Sequence, residues 1–407
     1  MTRALDDIDL FDPGLLDDPY PLYDRLRTDA PVYPIADTGF YLVSRWDLVM
    51  EATTRPADFS SNLTATLVRQ PDGSAGVFDL DGGGQAIHVL ATGDDPTHQA
   101  HRKLVLPALV AKRIRALEST IAATADRLWA QGLGDGRIEW MSAMGDRLPM
   151  TLVASLIGLP DDDLPQLLAW AYISNELLDG VVTTDRLVVA VTAAAELAGY
   201  LHRQLARAGD RPDDNLLGDL AKACAAGELT SDVAVLILLQ LVGAGGESTA
   251  GLIGNATRIL ATDPTLQTRL RTDPDLLTPF LEEALRLESP FRAHHRHVVR
   301  DTTLGGTDLP AGSHLLLLWA AANRDPAVFS APGEIRLDRP AQRNHLAFGK
   351  GIHFCVGATL ARLEARVALR TLLARTAAFR LAPDPDAAQW VPSISVRRHH
   401  RLDLIVE

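Results

Sequence analysis

Cysteine and long apolar runs are scarce in this sequence of 407 residues. The two cysteines, Cys224 and Cys355, lie far apart. They cannot form the disulfide framework of a small secreted domain, and they indicate a reducing cytoplasm. The longest apolar stretch, residues 233–242, is too short to span a bilayer, and the acidic N-terminal segment lacks the apolar core of a secretory signal. We therefore expect a cytoplasmic protein that does not associate with a membrane.

Basic residues are also in deficit. The chain has 39 lysines and arginines against 52 acidic residues, which gives a net charge of −13. This balance argues against a nucleic-acid-binding protein, because such a protein needs a basic face. A local basic patch for an acidic protein partner is still compatible with it. Apolar residues make up 47% of the chain, which is enough for the core of one large domain or of two.

The commonest pattern along the chain is helical periodicity, from residue 99 to about residue 287. Its longest apolar segment, residues 230–261, opens with a Thr-Ser-Asp sequence suited to an N-cap and is interrupted by Gly243, Gly245 and Gly246. Each glycine weakens a helix by about 1 kcal/mol relative to alanine, so the cluster predicts a kink or a close contact with something large. Residues 60–95 lose this periodicity and predict a long loop that serves as a lid.

Short strand patterns occupy both ends of the chain. They fall roughly at residues 30–60, 290–320 and 380–407, whereas helical patterns cover roughly residues 95–290 and 355–377. The predicted fold class is therefore mostly α with a minor β portion (α+β).

One segment near the C-terminus carries the clearest chemistry. It reads Phe-Gly-Lys-Gly-Ile-His-Phe-Cys-Val-Gly over residues 348–357, and Cys355 stands just before a predicted amphipathic helix. The glycines allow a tight turn and a close approach to a flat ligand, and a helix start lowers the pKa of a thiol. Such a thiolate suits iron ligation. A lone cysteine is more often a buried structural residue, and that interpretation is kept for Cys224.

This segment resembles the haem-binding signature of the cytochrome P450 family, since it matches Phe-Gly-x-Gly-x-His-x-Cys-x-Gly at every specified position. The resemblance implies a single cytochrome P450 domain over residues 1–407, shaped as a triangular prism. Haem b (iron protoporphyrin IX) is then expected between the long central helix and the cysteine-bearing helix. The resemblance also implies that Cys355 is the axial ligand of the iron and that Phe348, Gly349 and Gly357 bind the cofactor.

A further pair of residues matches a motif of the family in its expected place along the chain. Glu283 and Arg286 resemble its structural Glu-x-x-Arg pair. The third member that often completes this pair is replaced by Glu334, so Arg336 or Arg339 is expected to substitute.

Four basic side chains are implied as partners of the haem propionates. His98 and Arg102 resemble the family's His-x-x-x-Arg pair, and their i,i+4 spacing puts both on one helical face, as a shared anion requires. His353 and Arg296 fall where the family has its other propionate partners, although several histidines crowd the stretch around Arg296.

Residues 244–249, Ala-Gly-Gly-Glu-Ser-Thr, resemble the family's oxygen-activation motif. The resemblance assigns Glu247 as the acid and the hydroxyl group of Ser248 or Thr249 as the alcohol that together deliver protons to dioxygen. Ser248 stands at the usual threonine position and lacks the methyl group that restricts the rotamer. We therefore expect retained activity with more peroxide released per turnover. The glycine beside the acid is expected to leave room for dioxygen and to let the helix bulge.

The substrate pocket is less well defined by the sequence. The family places pocket residues in the centre of the long helix, after Pro290 and in the C-terminal turn, which implies pocket positions for Ala244 and Ile394. The segment after Pro290 is unusually polar, so Arg292 or His294 is predicted to contact a carboxylate or another polar group of the substrate. Contacts with haem propionates or with solvent explain these residues equally well.

The resemblance implies a monooxygenase that inserts one oxygen atom from O2 into a mid-sized organic molecule such as a secondary metabolite. Electrons would come from a ferredoxin and an NAD(P)H-dependent ferredoxin reductase. A basic surface that includes Arg102, Lys103, Arg113, Lys350 and Arg362 is expected to dock the acidic ferredoxin. Two alternatives stay open. One is an atypical member that catalyses oxidative C–C or C–N coupling, ring formation or nitration, and the other is a non-catalytic haem-binding sensor or carrier.

Overall fold

Helices dominate the computed structural model, which describes residues 5, 8–178, 183–340 and 342–407. The α-helices are α1 (Pro13–Asp17), α2 (Tyr20–Asp29), α3 (Trp46–Thr54), α4 (Thr97–Val105), α5 (Ala111–Ala116), α6 (Glu118–Gly132), α7 (Arg147–Ile157), α8 (Leu164–Asn175), α9 (Thr184–Asp210), α10 (Leu216–Ala225), α11 (Ser231–Ala261), α12 (Pro264–Thr272), α13 (Leu277–Leu287), α14 (Trp319–Ala322) and α15 (Ala358–Arg375). The strands are β1 (Val32–Ile35), β2 (Phe40–Val43), β3 (Phe59–Ser60), β4 (Ala65–Arg69), β5 (Ala75–Asp79), β6 (Arg137–Glu139), β7 (His294–Val298), β8 (Thr302–Leu304), β9 (Thr307–Leu309), β10 (His314–Leu317), β11 (Phe379–Leu381), β12 (Ala388–Trp390) and β13 (His399–Val406).

A five-stranded sheet joins the two ends of the chain in the order β1-β2-β10-β7-β3. Strand β10 runs parallel to β2 and antiparallel to β7. Because successive side chains of a strand point to opposite faces, His294 and Arg296 of β7 share one face, while His295 and His297 share the other. Two residues predicted to bind a ligand therefore lie on the same side of this sheet.

A second sheet brings the C-terminal strand into the helical part of the protein. It has the order β11-β13-β12, and β6 also pairs with β13, with Ile138 opposite Leu404. Strand β6 lies within residues 95–290, for which only helices were predicted. Its three residues are too short for alternation to be distinguished from helical periodicity.

The long central helix, α11, is continuous over 31 residues despite its glycines. A Cβ atom on Gly245 would lie 2.5 Å from Val153 Cγ2, and one on Gly246 would lie 2.6 Å from Met150 Cε. Both neighbours belong to α7, so the glycines allow α7 to pack closely against α11. This is the close contact that the glycine cluster predicted, whereas the bulge and the room for dioxygen stay predictions.

The two halves of α11 belong to different hydrophobic cores. Val242 and the apolar residues before it pack with α7 to α10, whereas Ala250 and the apolar residues after it pack with α6, α13 and α15. Ala244 lies between the two cores and is exposed although the helix runs through the middle of the molecule. The oxygen-activation motif therefore lies where the two cores meet, beside an interior cavity.

Helix α11 is also, among the described residues, the one helix whose length and apolarity would allow it to cross a membrane. Its most apolar 18-residue window is 56% buried inside the protein. A helix that is apolar on all sides is expected when protein surrounds it. The apolar stretch counted from the sequence, residues 233–242, understated the length of this helix, but burial accounts for its composition.

Residues 60–95 contain a hairpin that was not predicted. Strands β4 and β5 pair from Ala65–Asp79 to Arg69–Ala75, and the turn between them contains Pro71-Asp72-Gly73, a sequence typical of turns. The prediction of an unbroken loop is wrong for residues 65–79. Strand β4 of this hairpin packs in the core, since Leu67 is fully buried.

Candidate functional site

Cys355 lies in a loop closed by main-chain contacts, between a 3-10 turn and α15. Its N–H group donates to the carbonyl oxygen of Phe348 at 2.9 Å. Gly349 and Gly351 have φ values of +67° and +71°, a region that L side chains rarely adopt. Gly357 has an ordinary φ of −87°, but a Cβ atom there would lie 3.9 Å from Cys355 Sγ. The first two glycines are thus needed for the turn, whereas a Cβ atom at position 357 would make an ordinary van der Waals contact with the sulfur.

The electrostatic environment of the sulfur combines burial with several donors. Burial raises the pKa of Cys355, and the N–H groups of Gly357 and Ala358, together with Arg102 and Arg362, lower it only in part. The N–H groups at the helix start lower the pKa of this thiol as predicted, but burial outweighs them. A metal cation at the sulfur stabilises the thiolate, so these donors support metal ligation without producing a free thiolate.

Three of the predicted anion-binding side chains converge beside this loop. The ring centroids of His98 and His353 are 4.1 Å apart, and Arg102 Nη2 donates to the carbonyl oxygen of Phe354 at 2.8 Å. His353 Nε2 is buried and has no hydrogen-bond partner within the described chain. Burial, followed by the nearby His98 and Arg296, lowers the pKa of His353 to about 4. The site therefore presents a buried ring nitrogen next to positively charged groups.

Arg296 is the fourth predicted partner, and it is buried on β7. Its Nη1 donates to the carbonyl oxygen of His295 at 2.7 Å. Burial lowers the pKa of Arg296 to about 10, while Asp94 raises it. Asp94 accepts a hydrogen bond from the backbone of Ser61 at 2.9 Å and another from the side chain of Ser60. No local pattern in the sequence pointed to this role of Asp94.

The residues at this site fit a haem group. The described residues contain no cluster of three histidine, cysteine or acidic side chains able to hold a bare metal ion, so a metal at Cys355 would need ligands that come with it. A thiolate is a good protein ligand for haem iron. The buried, unpartnered nitrogen of His353 and the guanidinium groups of Arg102 and Arg296 suit carboxylate groups. Together these features match the thiolate and propionate requirements of iron protoporphyrin IX.

Glu283 and Arg286 form a fully buried ion pair on α13. Arg286 Nε and Nη2 donate to the two oxygens of Glu283 at 2.8 and 2.9 Å. Arg339 Nε also donates to Glu283 at 3.0 Å, and the backbone N–H group of Arg336 does so at 2.9 Å. Glu334 contributes only its carbonyl oxygen, to Arg286 Nη2 at 2.8 Å. The side chain that completes the group is therefore that of Arg339.

A second buried ion cluster next to this pair was not predicted. Glu282 binds His345 Nε2 at 2.9 Å and receives hydrogen bonds from Arg362 at 2.7 and 2.9 Å. Although burial raises it, these partners lower the pKa of Glu282 to about 2. Arg362 also lies over the ring of Phe348, 4.3 Å from its centroid. Since Arg362 comes from α15, the cluster ties the cysteine-bearing helix and loop to α13.

The predicted acid of the central helix, Glu247, is buried and has partners on two other elements. Arg398 Nε donates to Glu247 Oε1 at 3.2 Å, and Asn175 Nδ2 donates to Oε2 at 2.7 Å. Arg398 also lies 3.7 Å from Asp146 Oδ1, which accepts a hydrogen bond from Tyr172 at 3.0 Å. Burial raises the pKa of Glu247, and burial raises the pKa of Asp146 to about 6. These partners are distant in sequence, so no local pattern pointed to them.

The two predicted alcohols differ in their surroundings. Ser248 is half-buried, and its Oγ donates to the carbonyl oxygen of Ala244 at 2.6 Å. Thr249 is buried within the helix packing. Because Ala244 and Ser248 are one helical turn apart, they lie on the same face of α11. Of the two hydroxyl groups, that of Ser248 is on the accessible face.

Arg292 does not line the pocket as predicted. Its side chain is 2% exposed, and its Nη2 donates to the carbonyl oxygen of Leu16 at 2.6 Å. Burial lowers the pKa of Arg292, whereas the nearby Tyr23 raises it. The side chain therefore holds the N-terminal segment on the body of the protein. Sequence alone could not distinguish this long-range contact from a contact with substrate.

His294 and Ile394 have positions compatible with the predicted pocket. His294 is exposed although it lies deep in the protein, where burial lowers its pKa to about 3. Exposure at such depth means that the ring borders an interior cavity. Ile394 is half-buried and packs against the core that contains Ala293.

Comparison with known proteins identifies the family. A model of the family "Cytochrome P450" matches residues 202–396. Cytochrome P450 144 of Mycobacterium tuberculosis is 56% identical over 407 residues, which cover 100% of this chain and 93% of the relative. The chain belongs to the cytochrome P450 family. The cytochrome P450 monooxygenase PikC of Streptomyces venezuelae is 33% identical and covers 93% of this chain and 89% of its own length.

Solved structures of other cytochromes P450 have the same fold. CalO2 superposes with a TM-score of 0.86 at 28% identity, covering 98% of both chains. The cytochrome P450 CREJ superposes with a TM-score of 0.88 at 26% identity, covering 96% of this chain and 98% of its own. The predicted fold class, haem cofactor and enzyme class are confirmed. The protein is an oxidoreductase that incorporates oxygen from O2.

Proposed function

We propose that this cytochrome P450 is a cytoplasmic monooxygenase that inserts one oxygen atom into a mid-sized organic molecule of secondary metabolism. Its electrons come from a ferredoxin and an NAD(P)H-dependent ferredoxin reductase. Cys355 is the axial ligand, His98, Arg102, Arg296 and His353 bind the haem carboxylates, and the whole chain acts as one domain.

The observation that carries this proposal is the setting of Cys355. The backbone N–H groups of Gly357 and Ala358 favour its thiolate form, and it lies in the same loop as His353, whose unpartnered nitrogen is next to His98. The helix that follows, α15, packs against α11, which carries Glu247 and Ser248. These positions support a site that combines a thiolate ligand, partners for the haem carboxylates and a proton source.

Haem supplies, when bound, the iron centre at which dioxygen is activated. The chain's own residues control the protons. Because burial raises its pKa, Glu247 holds a proton more readily than an exposed glutamate does. Both of its oxygens are bound, by Arg398 and Asn175, so the carboxyl group has to leave one partner before it donates towards the cavity. The Ser248 hydroxyl has to rotate away from Ala244 to take part.

The proposed ferredoxin surface is smaller than the sequence implied. Arg362 is engaged by Glu282 and is only 20% exposed, so its charge is largely neutralised. Lys103, Arg113 and Lys350 are exposed, and these three residues are the better candidates for contacts with an acidic partner.

The names of relatives support a mid-sized organic substrate. Vitamin D(3) 25-hydroxylase of Pseudonocardia autotrophica is 34% identical over 98% of this chain and 97% of its own length. A structural neighbour with a TM-score of 0.85 and 29% identity was solved with testosterone.

The proposal is tested with purified haem-loaded protein. The reduced protein is expected to bind carbon monoxide with the spectrum of a thiolate-ligated haem, and Cys355→His is expected to lose that spectrum. A spin-state titration against terpenoids, macrolides, steroids, aromatic acids and cyclic peptides then identifies the substrate class. Turnover with NADPH, ferredoxin, reductase and 18O-labelled O2 should give a product with one labelled oxygen.

Two results would contradict the proposal. A wild-type protein without the thiolate-type carbon monoxide spectrum would remove Cys355 as the ligand. A product without labelled oxygen would favour the second candidate, oxidative coupling, ring formation or nitration, which Ser248 at the usual threonine position makes worth testing.

A further inference from the structure

A histidine on the cavity wall is held by a buried tryptophan. The Trp319 Nε1–H group donates to His294 Nδ1, and the two ring centroids are 5.7 Å apart. Trp319 is 2% exposed and lies in the core beside β10. An indole N–H group can only donate, so His294 Nδ1 must accept. The hydrogen of the neutral imidazole is therefore on Nε2.

The imidazole of His294 stays uncharged at neutral pH. Burial is the main cause that lowers its pKa to about 3, and Arg296, His295 and His353 add to the effect. Protonation would also require Nδ1 to give up its contact with the Trp319 N–H group. His294 consequently offers a hydrogen-bond donor without a positive charge.

The Nε2–H group of His294 is not hydrogen-bonded within the described chain. The ring of His294 accepts the hydrogen bond from Trp319 and packs edge-on against Phe291, whose ring centroid is 5.0 Å away. The side chain is nevertheless exposed deep inside the protein. It shares one face of β7 with Arg296, two residues along the strand, which is about 7 Å. His294 therefore lies on the same wall as the haem carboxylate partner, but farther along it.

We propose that His294 is a fixed neutral donor that selects substrates with an uncharged acceptor oxygen, such as a ketone, lactone or ether. Trp319 is its positioning residue, because it sets the tautomer and the ring orientation. A substrate carboxylate placed here would be desolvated without a balancing charge from His294, so the carboxylate contact considered from the sequence is the disfavoured one. This inference rests on the proposed monooxygenase function and specifies the substrate class of the same pocket.

The first test measures the tautomer without any substrate. In the reduced, carbon monoxide-bound haem protein, which is diamagnetic, with 15N-labelled histidine, the His294 signal is identified as the one that is lost in His294→Gln. It is expected to show a protonated Nε2 and an unprotonated Nδ1 across pH 5–8. In Trp319→Phe, where no indole N–H group binds Nδ1, the two tautomers are expected to mix. A charged ring, or an unchanged single tautomer in Trp319→Phe, would overturn the proposal.

The second test uses matched ligand triples of graded size, each with a cyclic ketone, its methylene analogue and a carboxylate on the same skeleton. Spin-state titration of the haem-loaded protein is expected to show about tenfold tighter binding of the ketone, the equivalent of one neutral hydrogen bond. His294→Phe should abolish this preference, and His294→Gln, which keeps a donor, should restore part of it. His297→Phe is the matched control, because His297 is on the opposite face of β7 and stacks on His314 at 5.4 Å; it should leave the preference intact.

The outcomes separate this inference from the proposed function. If the carbon monoxide spectrum and oxygen insertion are normal but ketone and methylene ligands bind alike, or no triple binds, the role of His294 is refuted and the monooxygenase stands. If His294→Phe lowers haem retention and affects all three ligands equally, His294 binds a haem carboxylate instead. If the wild-type protein lacks the thiolate-type spectrum, the proposed function itself fails.

Discussion

Replacing Arg339 with methionine removes one of the two guanidinium groups that bind Glu283 inside the protein. Arg339 Nε donates to Glu283 Oε1 at 3.0 Å, and Arg339 Nη1 donates to the carbonyl oxygen of Ser330 at 2.8 Å. Glu283 keeps its two hydrogen bonds from Arg286 in this variant. Arg339→Met therefore weakens the group that braces the chain before the cysteine loop, but it does not leave the buried carboxylate without a cation.

The expected cost follows from the bonds that are lost. Each of the two bonds has the charged guanidinium as its donor and contributes about 1.5–3 kcal/mol, so Arg339→Met should lower the free energy of unfolding by roughly 3–6 kcal/mol. Arg286→Met breaks the bidentate pair and also frees the carbonyl oxygens of Asn323, Pro332 and Glu334. Breaking a buried pair costs about 3–5 kcal/mol before such losses are added. This second variant should therefore lose most of the typical stability of about 5–15 kcal/mol.

Urea unfolding followed by far-ultraviolet circular dichroism measures these differences, and the thiolate-type carbon monoxide spectrum reports the state of the haem loop. The matched control is Arg375→Met, which removes an exposed ion pair with Asp126 at 2.8 Å. Exposed pairs contribute at most about 1 kcal/mol. If Arg339→Met destabilises the protein no more than this control does, Arg339 is not the residue that completes the brace, and the reasoning from its buried contacts is wrong.

Three further predictions concern the central helix and its neighbours. Ser248→Thr should raise the ratio of product to peroxide, measured together in one turnover assay; an unchanged ratio contradicts the rotamer argument. Burial raises the pKa of Asp146 from 3.8 to about 6, so its contribution to stability is present below pH 3.8 and is lost as the pH rises through 6. Asp146→Asn should therefore gain roughly 3 kcal/mol relative to wild type between pH 4 and 7 in urea unfolding. Gly245→Ala should cost about 1–3 kcal/mol through its contact with α7, and Val153→Ala should relieve part of that cost; additive losses would show that the 2.5 Å approach is not the cause.

The parts of the site that the sequence predicted are those formed within one turn or one loop. His98 and Arg102 are one helical turn apart on α4, and Glu283 and Arg286 are similarly placed on α13. Their spacing alone puts each pair on one face of its helix. The segment that holds Cys355 was visible for the same reason, because a glycine-containing turn is a local property of the backbone.

Other parts of the site required contacts that local patterns do not encode. The partners of Glu247 come from α8 and from the chain just before β13. Arg292 binds a carbonyl oxygen 276 residues earlier in the chain. The raised pKa of Cys355 depends on how deeply the loop is buried. In each case the result depends on which distant segments pack together, and several arginines in the sequence were equally plausible partners.

The sequence by itself determined the family, the iron ligand and the helical character of the chain, because these depend on residue order over a few turns. The tertiary structure decided that Arg339 completes the pair on α13, that the glycines of α11 accommodate α7, and that Trp319 sets the tautomer of His294. Hydrogen bonds and close packing depend on distances in space. Residues that are tens to hundreds of positions apart in the sequence come into contact only when the sheets and helices have assembled.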